Sequence, residues 1–421
     1  MYITHLEVQN YRGISNLALD FHEGANLLIG NNGAGKTSLL HSISILASQP
    51  IRMLTGVRGM EITGHDAYST TVLVGDAVSQ NIAHYPICIQ GNICYQGKDF
   101  YCHQEKKSDA GTLETNNWDL AMQFKNDQAE TGKAFPLLCY IQAGRETAGK
   151  PVRITMPNKE PQRTDGYKDA FAEHLNFQAI QQWCLQMDFA EYQRKHEIKE
   201  YRTFKEIIAR FFGLLDPQRK NDRVYYSSLM SSLVCFDGET EKTIYQMSDG
   251  YQAALCLIIE LAYRAVVLNP MDEEIANHIA GIVMIDEIEM HLHPAWQWNI
   301  LRALTETFPR IQFFISTHSP IVLSSANHAN IYLMKTPTDV ISVDNVYGYQ
   351  INDVLKYLQG SEYQPETVSR YYEEIDRLLE NGTDGDLKRL MDQARAAFGN
   401  APQVIKELQD YIDVNHWVEE A

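Results

Sequence analysis

The chain has 421 residues and a formal net charge of −18 at pH 7, and 44% of its residues are hydrophobic. Such a length supports a large core, either in two lobes or in one α/β domain with insertions. The negative charge disfavours a surface built for non-specific nucleic-acid binding, although a local basic groove formed on assembly stays open. We read no stretch that approaches the roughly 20 apolar residues of a membrane span and no signal peptide at the start, so we expect a cytoplasmic protein without membrane contact.

The first 24 residues alternate apolar and polar positions, which predicts two strands joined by a turn at Arg12 and Gly13. A pair of strands that precedes a nucleotide-binding loop often lies over the base. Arg12 is therefore a candidate contact for the base or a phosphate, with an exposed turn arginine as the equal alternative.

A glycine-rich loop follows the apolar run at residues 27–29 and precedes a helical pattern that starts at Lys36. The spacing Gly30-x4-Gly35-Lys36-Thr37 matches the phosphate-binding P-loop, whose backbone N–H groups surround a phosphate at the start of a helix. This motif predicts ATP or GTP binding, with Lys36 on the β- and γ-phosphates and the Thr37 hydroxyl on Mg²⁺. The residues predicted to contact the nucleotide are Asn31, Asn32, Gly33, Ala34, Gly35, Lys36, Thr37 and Ser38.

Alternating β-branched residues over 70–103 predict an antiparallel β lobe, whereas the polar residues 104–134 predict a surface excursion. The apolar segment 135–141 predicts a strand with Gln142 at its end. We therefore assign residues 1–145 to the N-terminal part of a nucleotide-binding domain.

Residues 167–215 have a mainly helical pattern, and they lie within a segment, 146–240, that we predict to be a helical insertion. The helical part is only about 50 residues long and carries no sustained heptad repeat, which argues against a long coiled coil.

Ser248 and Gly250 lie where a strongly apolar helix is predicted to begin, over residues 253–268. A fully apolar strand at residues 281–285 then ends in Asp286 and Glu287. In a P-loop protein two acids at this place form the second half of the site: Asp286 holds Mg²⁺, and Glu287 activates the attacking water.

Three further groups directly follow those acids: Glu289, His291 and His293. A dedicated transition-metal site is one interpretation of the His-x-His spacing, and a segment that only follows the magnesium strand is the other. The next buried strand, residues 311–316, ends just before His318, which could hydrogen-bond a terminal phosphate or act as a structural histidine. The second part of the nucleotide-binding domain is expected over 241–345, and residues 346–421 are predicted to be a helical tail.

Four segments together resemble the ABC-type ATPases: residues 30–37, 247–252, 282–297 and 316–320. The match is strongest to a bacterial family of SMC-like ATP-binding proteins that includes the Septu antiphage defence ATPases, and it covers residues 1 to about 340. The resemblance implies an α/β, ABC/SMC-type P-loop fold with an antiparallel β lobe, a central mostly parallel sheet, a short helical insertion and a helical C-terminal tail.

The resemblance also implies roles for residues that spacing alone does not explain. Ser248 and Gly250 would belong to the signature motif, which contacts the γ-phosphate of ATP held by a second subunit, so that the working form is a dimer. Gln142 would occupy the Q-loop position near Mg²⁺, and His318 would be the switch histidine. Met247 stands where the signature motif usually has leucine.

The family implies a dimeric switch driven by ATP and Mg²⁺, in which Lys36, Glu287 and His318 are catalytic, controlling a separate effector in antiphage defence. An HNH-type nuclease is the effector that the resemblance suggests. Any nuclease activity would have to come from a separate partner, because residues 346–421 are too short and too helical for the nuclease domain of related overlapping-lesion ATPases. Nucleic acid could be bound through the assembly.

Two other functions stay open. The chain could be a scaffold that binds ATP with little turnover, and Glu287 is expected in both cases. It could also be a DNA-repair ATPase that binds duplex DNA directly, for which DNA-stimulated hydrolysis with a steep salt dependence would be the sign.

Overall fold

The structure is a computed structural model that describes the chain except residues 55–56, 58, 74–78, 130–132, 145–161, 219–222, 228, 231, 237–238, 271, 273, 345, 359–365, 400 and 420–421. The described strands are β1 (Tyr2–Tyr11), β2 (Ile14–Asp20), β3 (Ala25–Ile29), β4 (Ser69–Leu73), β5 (Ser79–Ala83), β6 (Ile87–Tyr95), β7 (Lys98–Lys106), β8 (Leu113–Asn116), β9 (Leu137–Ile141), β10 (Arg223–Ser227), β11 (Ser232–Phe236), β12 (Glu241–Thr243), β13 (Gly281–Ile285), β14 (Ile311–Ser316), β15 (Asn330–Thr336) and β16 (Asp339–Val343). The described helices are α1 (Lys36–Ala47), α2 (Trp118–Ala129), α3 (Phe177–Arg194), α4 (Lys199–Leu215), α5 (Asp249–Leu268), α6 (Ile275–His278), α7 (Pro294–Gln297), α8 (Ile300–Thr307), α9 (Pro320–Ser324), α10 (Ile351–Leu358), α11 (Glu366–Asn381), α12 (Asp384–Ala397) and α13 (Pro402–Glu419).

A six-stranded sheet with the order β16-β15-β3-β14-β13-β9 lies at the centre. All neighbours in it pair in parallel except β15 and the edge strand β16. Every residue of β3, β13, β14 and β9 is buried. Strands that are covered on both faces need continuous apolar runs, which is why these segments do not alternate in sequence. The predicted α/β fold with a mostly parallel sheet is confirmed.

A second, antiparallel sheet forms the β lobe, with the order β2-β1-β6-β7-β8. Its buried side chains, such as Ile3, Leu6 and Val8 of β1, belong to one apolar core with Leu39 and Ile43 of α1. The alternation in the first 24 residues therefore reflects one face packed on the core and one face in solvent.

Helix α5 is buried almost completely between the other elements of the fold. It is long and apolar enough to span a membrane, with 94% of its apolar window inside the structure. The reading that no stretch approaches such a composition was therefore wrong, and burial identifies this helix as a core element. Inside the core, Glu260 pairs with Arg264, which also donates to the carbonyl oxygens of Gly166 and Lys168.

Two segments differ from the prediction. Residues 104–134 were predicted as a surface excursion, but they contain β8 and α2, and α2 buries Leu120 and Phe124. The segment 146–240, predicted as helical, contains α3 and α4 and also the strands β10 and β11 of a small antiparallel sheet that β12 completes. The physical reason is tertiary: the few apolar residues of 104–134 become core only through contacts with distant elements, and β10 and β11 form strands by pairing with each other and with β12.

The chain divides into two compact units, Met1–Val354 and Leu355–Ala421. The second unit has an apolar core of its own, contributed by α11, α12 and α13, with Ile375, Ala394 and Leu408 fully buried.

Candidate nucleotide-binding site

The P-loop connects β3 to α1, as the motif requires. Three of its glycines have positive φ angles: Gly30 (147°), Gly33 (81°) and Gly35 (96°). A Cβ atom on Gly30 would lie 2.3 Å from the carbonyl oxygen of Met334, so β15 leaves no room for a side chain there. These glycines shape a loop whose amides open toward a phosphate.

Lys36 is buried, and its amine donates to the carbonyl oxygens of Gly30 at 2.8 Å and Asn31 at 3.1 Å. Burial lowers the pKa of this amine, and the nearby carboxylates of Asp286, Glu287 and Glu289 oppose that shift. The ammonium group is therefore held inside the loop, where a bound phosphate would meet it.

The other predicted loop residues differ in exposure. Asn31, Asn32 and Gly33 are exposed, as is Thr37, whereas Ala34 is buried and Ser38 is half-buried. The exposed tip is the part that a nucleotide can approach without displacing the core.

Asp286 follows β13 directly and joins the P-loop helix to β14. The hydroxyl of Thr37 donates to Asp286 Oδ2 at 2.9 Å, and the hydroxyl of Ser316 donates to Asp286 Oδ1. The backbone N–H of Glu287 in turn donates to Ser316 Oγ at 2.8 Å. Ser316 therefore fixes both acids, a role that the sequence did not single out.

Glu287 has a positive φ of 50°, which is uncommon for a residue with a side chain. Strained backbone of this kind concentrates at functional sites, where the surroundings hold it in place. The turn directs the chain away from β13 immediately after Asp286, at the edge of the sheet where the P-loop also lies.

His318 lies two residues beyond β14, the strand between β3 and β13. Burial, together with the charge of Lys36, lowers the pKa of His318, while Glu289, Glu287 and Asp286 act in the opposite direction. The lowered pKa favours the neutral imidazole, the form that can donate one hydrogen bond and accept another.

Arg12 lies on the turn between β1 and β2, as predicted. Its Nε donates to Asp66 Oδ1 at 2.9 Å. Burial alone would raise the pKa of Asp66, but the bonds from Arg12 and Thr63 outweigh it and the pKa is lowered. Pro337, in the turn between β15 and β16, lies beside both Gly13 and Gly35, so the Arg12 turn is close to the P-loop.

Gln142 follows β9 and is half-buried. The strand register pairs Ile141 with Ile285, and the Asp286 amide donates to the Ile141 carbonyl at 2.9 Å. Gln142 therefore lies level with Asp286 on the neighbouring strand, which is compatible with the predicted Q-loop position.

Ser248 and Gly250 lie at the start of α5. Ser248 is the exposed N-cap residue, and its side chain makes no capping hydrogen bond. A Cβ atom on Gly250 would lie 2.4 Å from the carbonyl oxygen of His291. The structure therefore brings the beginning of α5 against the segment that follows Glu287.

The donor set at this edge fits Mg²⁺, because hydroxyl and carboxylate oxygens are its preferred protein ligands. Thr37 and Asp286 already lie within hydrogen-bonding distance of each other, and Gln142 adds an amide oxygen at the end of the adjacent strand. The transition-metal interpretation finds no support, since His291 and His293 are exposed and the described residues contain no cluster of three metal-ligating groups.

Three polar residues organise the site although the sequence did not indicate this role for them: Ser316, Thr317 and Glu289. Thr317 donates to Glu289 Oε2 at 2.7 Å, and the His318 amide donates to Glu289 Oε1 at 2.5 Å. The available signal was the run of small polar residues at the end of β14, at the same sheet edge as Asp286.

Two family models match the chain. One is described as "AAA ATPase domain" and matches residues 1–131. The other is described as "AAA domain, putative AbiEii toxin, Type IV TA system" and matches residues 192–324. The first segment contains the P-loop, and the second contains Ser248, Asp286, Glu287 and His318.

Two curated relatives align over most of the chain. The "Retron Vc95 probable ATPase" of Vibrio cholerae serotype O1 biovar El Tor is 24% identical over 422 residues, which cover 86% of this chain and 79% of the relative. The "Septu protein PtuA" of Bacillus thuringiensis is 24% identical over 401 residues, which cover 91% of this chain and 89% of the relative.

A solved SMC head bound to the C-terminal winged-helix domain of ScpA has a TM-score of 0.52 and 15% identity, covering 82% of this chain and 98% of that one. This likeness concerns the fold alone. It confirms the predicted ABC/SMC-type fold. The family models and the relatives confirm the predicted ATPase activity and the resemblance to the Septu ATPases.

Proposed function

We propose that the chain is a dimeric nucleotide switch: ATP closes two copies around two nucleotides, hydrolysis opens them, and the difference between the states controls an effector. One observation carries the proposal. Lys36, Asp286 and His318 meet at one sheet edge, whereas Ser248 is exposed at the start of α5 without a capping bond of its side chain. A second copy is the simplest source of a phosphate for that helix end.

The residues divide the chemistry of hydrolysis between them. Loop amides and Lys36 hold the β- and γ-phosphates, and Glu287 accepts a proton from the attacking water. Thr37 and Asp286, with Gln142 nearby, would hold Mg²⁺, whose contribution is to neutralise phosphate charge. His318, whose lowered pKa favours the neutral imidazole, can donate a hydrogen bond to the γ-phosphate.

The effector and the biological setting rest on the likeness to the Septu and retron proteins. We assign the chain to the cytoplasm of a bacterium and to antiphage defence, with a separate nuclease of the HNH class as the effector. The switch can control the effector only if the effector binds the open and closed dimers with different affinity.

Light scattering of the Glu287→Gln protein with and without Mg-ATP tests the switch. This substitution keeps the shape of the side chain and removes the base, so the ATP-bound state should accumulate. We expect the mass to double with Mg-ATP, and we expect no change for Lys36→Ala, which lacks the phosphate-binding ammonium.

A mass that is already multimeric and indifferent to ATP would count against the switch and favour the scaffold. Hydrolysis that duplex DNA stimulates, with a steep loss at higher salt, would favour the DNA-repair alternative.

Phage infection of cells that carry the gene with its genomic neighbours tests the setting. Protection should be lost with Lys36→Ala and altered with Glu287→Gln. Equal protection by the wild type and by Lys36→Ala would contradict a role for nucleotide binding in defence.

A further inference from the structure

We propose that Glu289 is a positioning residue for hydrolysis: its carboxylate holds the backbone that carries His318 in the orientation from which the imidazole reaches the γ-phosphate. The proposal rests on ATP hydrolysis at this site and is independent of any effector. It assigns a function to a residue that the sequence suggested only as part of a metal site.

The contact is made by both carboxylate oxygens. Oε2 accepts from the Thr317 hydroxyl at 2.7 Å and Oε1 accepts from the His318 amide at 2.5 Å. Two bonds to adjacent residues fix the rotation of a peptide as well as its position, and bonds to an ionised acceptor are the stronger kind. Glu289 therefore orients the peptide unit between Thr317 and His318.

The residues on either side of His318 are held by other groups. The Thr317 amide donates to the Leu28 carbonyl at 3.2 Å, which anchors it to β3. Ser319 donates to Gln297 at 2.6 Å and caps α9 by accepting from Ile321 and Val322. The His318 amide donates to Glu289, so loss of the carboxylate would remove that bond from the peptide while leaving the bonds of β14 and α9 in place.

The negative charge of Glu289 does not by itself explain why a glutamate occupies this position. Asp286 and Glu287 already supply two carboxylates, and a third near the γ-phosphate would repel that phosphate. The geometry of the two hydrogen bonds provides the reason for an acceptor here. Hydrogen bonding and charge can be separated with three substitutions.

Glu289→Gln keeps the length and loses the charge. Its amide oxygen can accept from the His318 amide while its NH2 group donates to Thr317 Oγ1. Glu289→Asp keeps the charge but is one methylene too short to make both bonds, and Glu289→Ala loses both charge and bonds. Glu306→Ala, at an exposed position of α8, is the control for loss of a glutamate elsewhere.

Steady-state ATP hydrolysis is the first measurement. We expect kcat to fall about tenfold or more for Glu289→Ala and Glu289→Asp, with the KM for ATP within about threefold of wild type. Glu289→Gln should stay within about threefold in kcat, and Glu306→Ala should equal wild type. Wild-type kcat in Glu289→Ala, or a better rescue by aspartate than by glutamine, would overturn the proposal.

Hydrogen exchange of the peptide that contains residues 316–319, measured without nucleotide, tests whether Glu289 holds this backbone. The test does not depend on ATP hydrolysis. We expect faster exchange in Glu289→Ala and Glu289→Asp, and wild-type exchange in Glu289→Gln and Glu306→Ala. Unchanged exchange in Glu289→Ala would overturn the proposal even if hydrolysis fell. A wild-type chain that fails to dimerise with ATP would contradict the switch and leave this measurement valid.

Discussion

Lys36 shows how the P-loop accommodates a buried positive charge. Its ammonium group donates to two carbonyl oxygens of its own loop, at 2.8 Å and 3.1 Å. Burying an ammonium group without acceptors would cost free energy, and these two carbonyl oxygens supply acceptors. ATP must replace those bonds, and part of the binding energy offsets their loss.

The side chain of His41 makes the stability of the folded protein depend on pH in the acid range. It lies on α1, and its Nδ1 and the hydroxyl of Tyr140 are buried without a hydrogen-bond partner in the described chain. The two rings meet edge to face at 5.2 Å. Burial, with a smaller contribution from the charge of Arg12, lowers the pKa of His41 from 6.5 to about 4.

The sign of the pH dependence follows from that shift. The unfolded chain takes up the His41 proton as the pH falls through 6.5, whereas the folded chain resists protonation until about pH 4. The stability contributed by neutral His41 is therefore complete above pH 6.5 and is lost progressively down to about pH 4. The loss should amount to about 2 to 3 kcal/mol.

Substitution of His41 by phenylalanine tests this prediction. Phenylalanine keeps the edge-to-face contact with Tyr140 and cannot take up a proton. We expect urea unfolding between pH 7 and pH 4.5 to show a smaller loss of stability for His41→Phe than for wild type. His174→Phe, at an exposed position, is the control, and equal pH slopes for His41→Phe and wild type would refute the assignment.

At the scale of elements, α5 and the segment after Glu287 depend on close backbone contact. Replacement of Gly250 by alanine would bring Cβ to 2.4 Å from the His291 carbonyl oxygen, so one of the two segments must move. Both are backbone, and neither can yield as a flexible side chain would. We expect Gly250→Ala to lose about 1 to 3 kcal/mol of stability and most of its ATP hydrolysis.

A matched control exists on another helix. Gly213 lies in α4, and a Cβ atom there would have no heavy atom within 4 Å. Because alanine loses less backbone entropy on folding than glycine, Gly213→Ala should keep its activity and gain about 0.5 to 1 kcal/mol. Thermal unfolding and ATP hydrolysis of both variants give the comparison, and an active, stable Gly250→Ala protein would contradict the contact.

The elements also show what could be predicted from sequence. The segments β3, β13 and α5 consist mainly of apolar residues, so their burial could be recognised directly. Helix α2 could not, because its few apolar residues become core only against distant strands. Its buried Asp127 accepts from Tyr95, Gln96 and Lys133, a network that no local pattern reveals.

The candidate site, like the helices and strands, could be predicted only in part from the sequence. Spacing identified the P-loop and the two acids after β13, since these motifs are contiguous in sequence. The bond between Glu289 and the His318 amide joins residues from two strand ends and depends on the positive φ of Glu287 and on the order of β13 and β14. Only a three-dimensional structure brings that contact into view.

At the scale of the whole molecule, the chain consists of two units with separate cores. The first unit, Met1–Val354, holds every residue proposed for nucleotide chemistry. The second, Leu355–Ala421, buries its own apolar side chains among α11, α12 and α13. Since neither described core draws on residues of the other unit, we expect the first unit to fold alone.

A chain that ends after Leu358 tests this expectation, because it keeps α10 whole and removes the three helices that follow. We expect a thermal midpoint of the first unit within about 5 °C of that in the wild type, since the apolar core of the first unit is retained. Basal ATP hydrolysis should stay within about threefold, because Lys36, Asp286 and Glu287 lie in the part that remains. The same shortened chain with Glu287→Gln controls for contaminating ATPase.

Phage infection of cells that carry the shortened chain tests whether the second unit takes part in effector control. If α11 to α13 contact the effector, the shortened chain should hydrolyse ATP and yet fail to protect cells. Retained protection would place effector control within residues 1–358. Insoluble protein, or a loss of both hydrolysis and ATP-dependent dimerisation, would instead contradict the independence of the first unit, because its core would then depend on helices outside it.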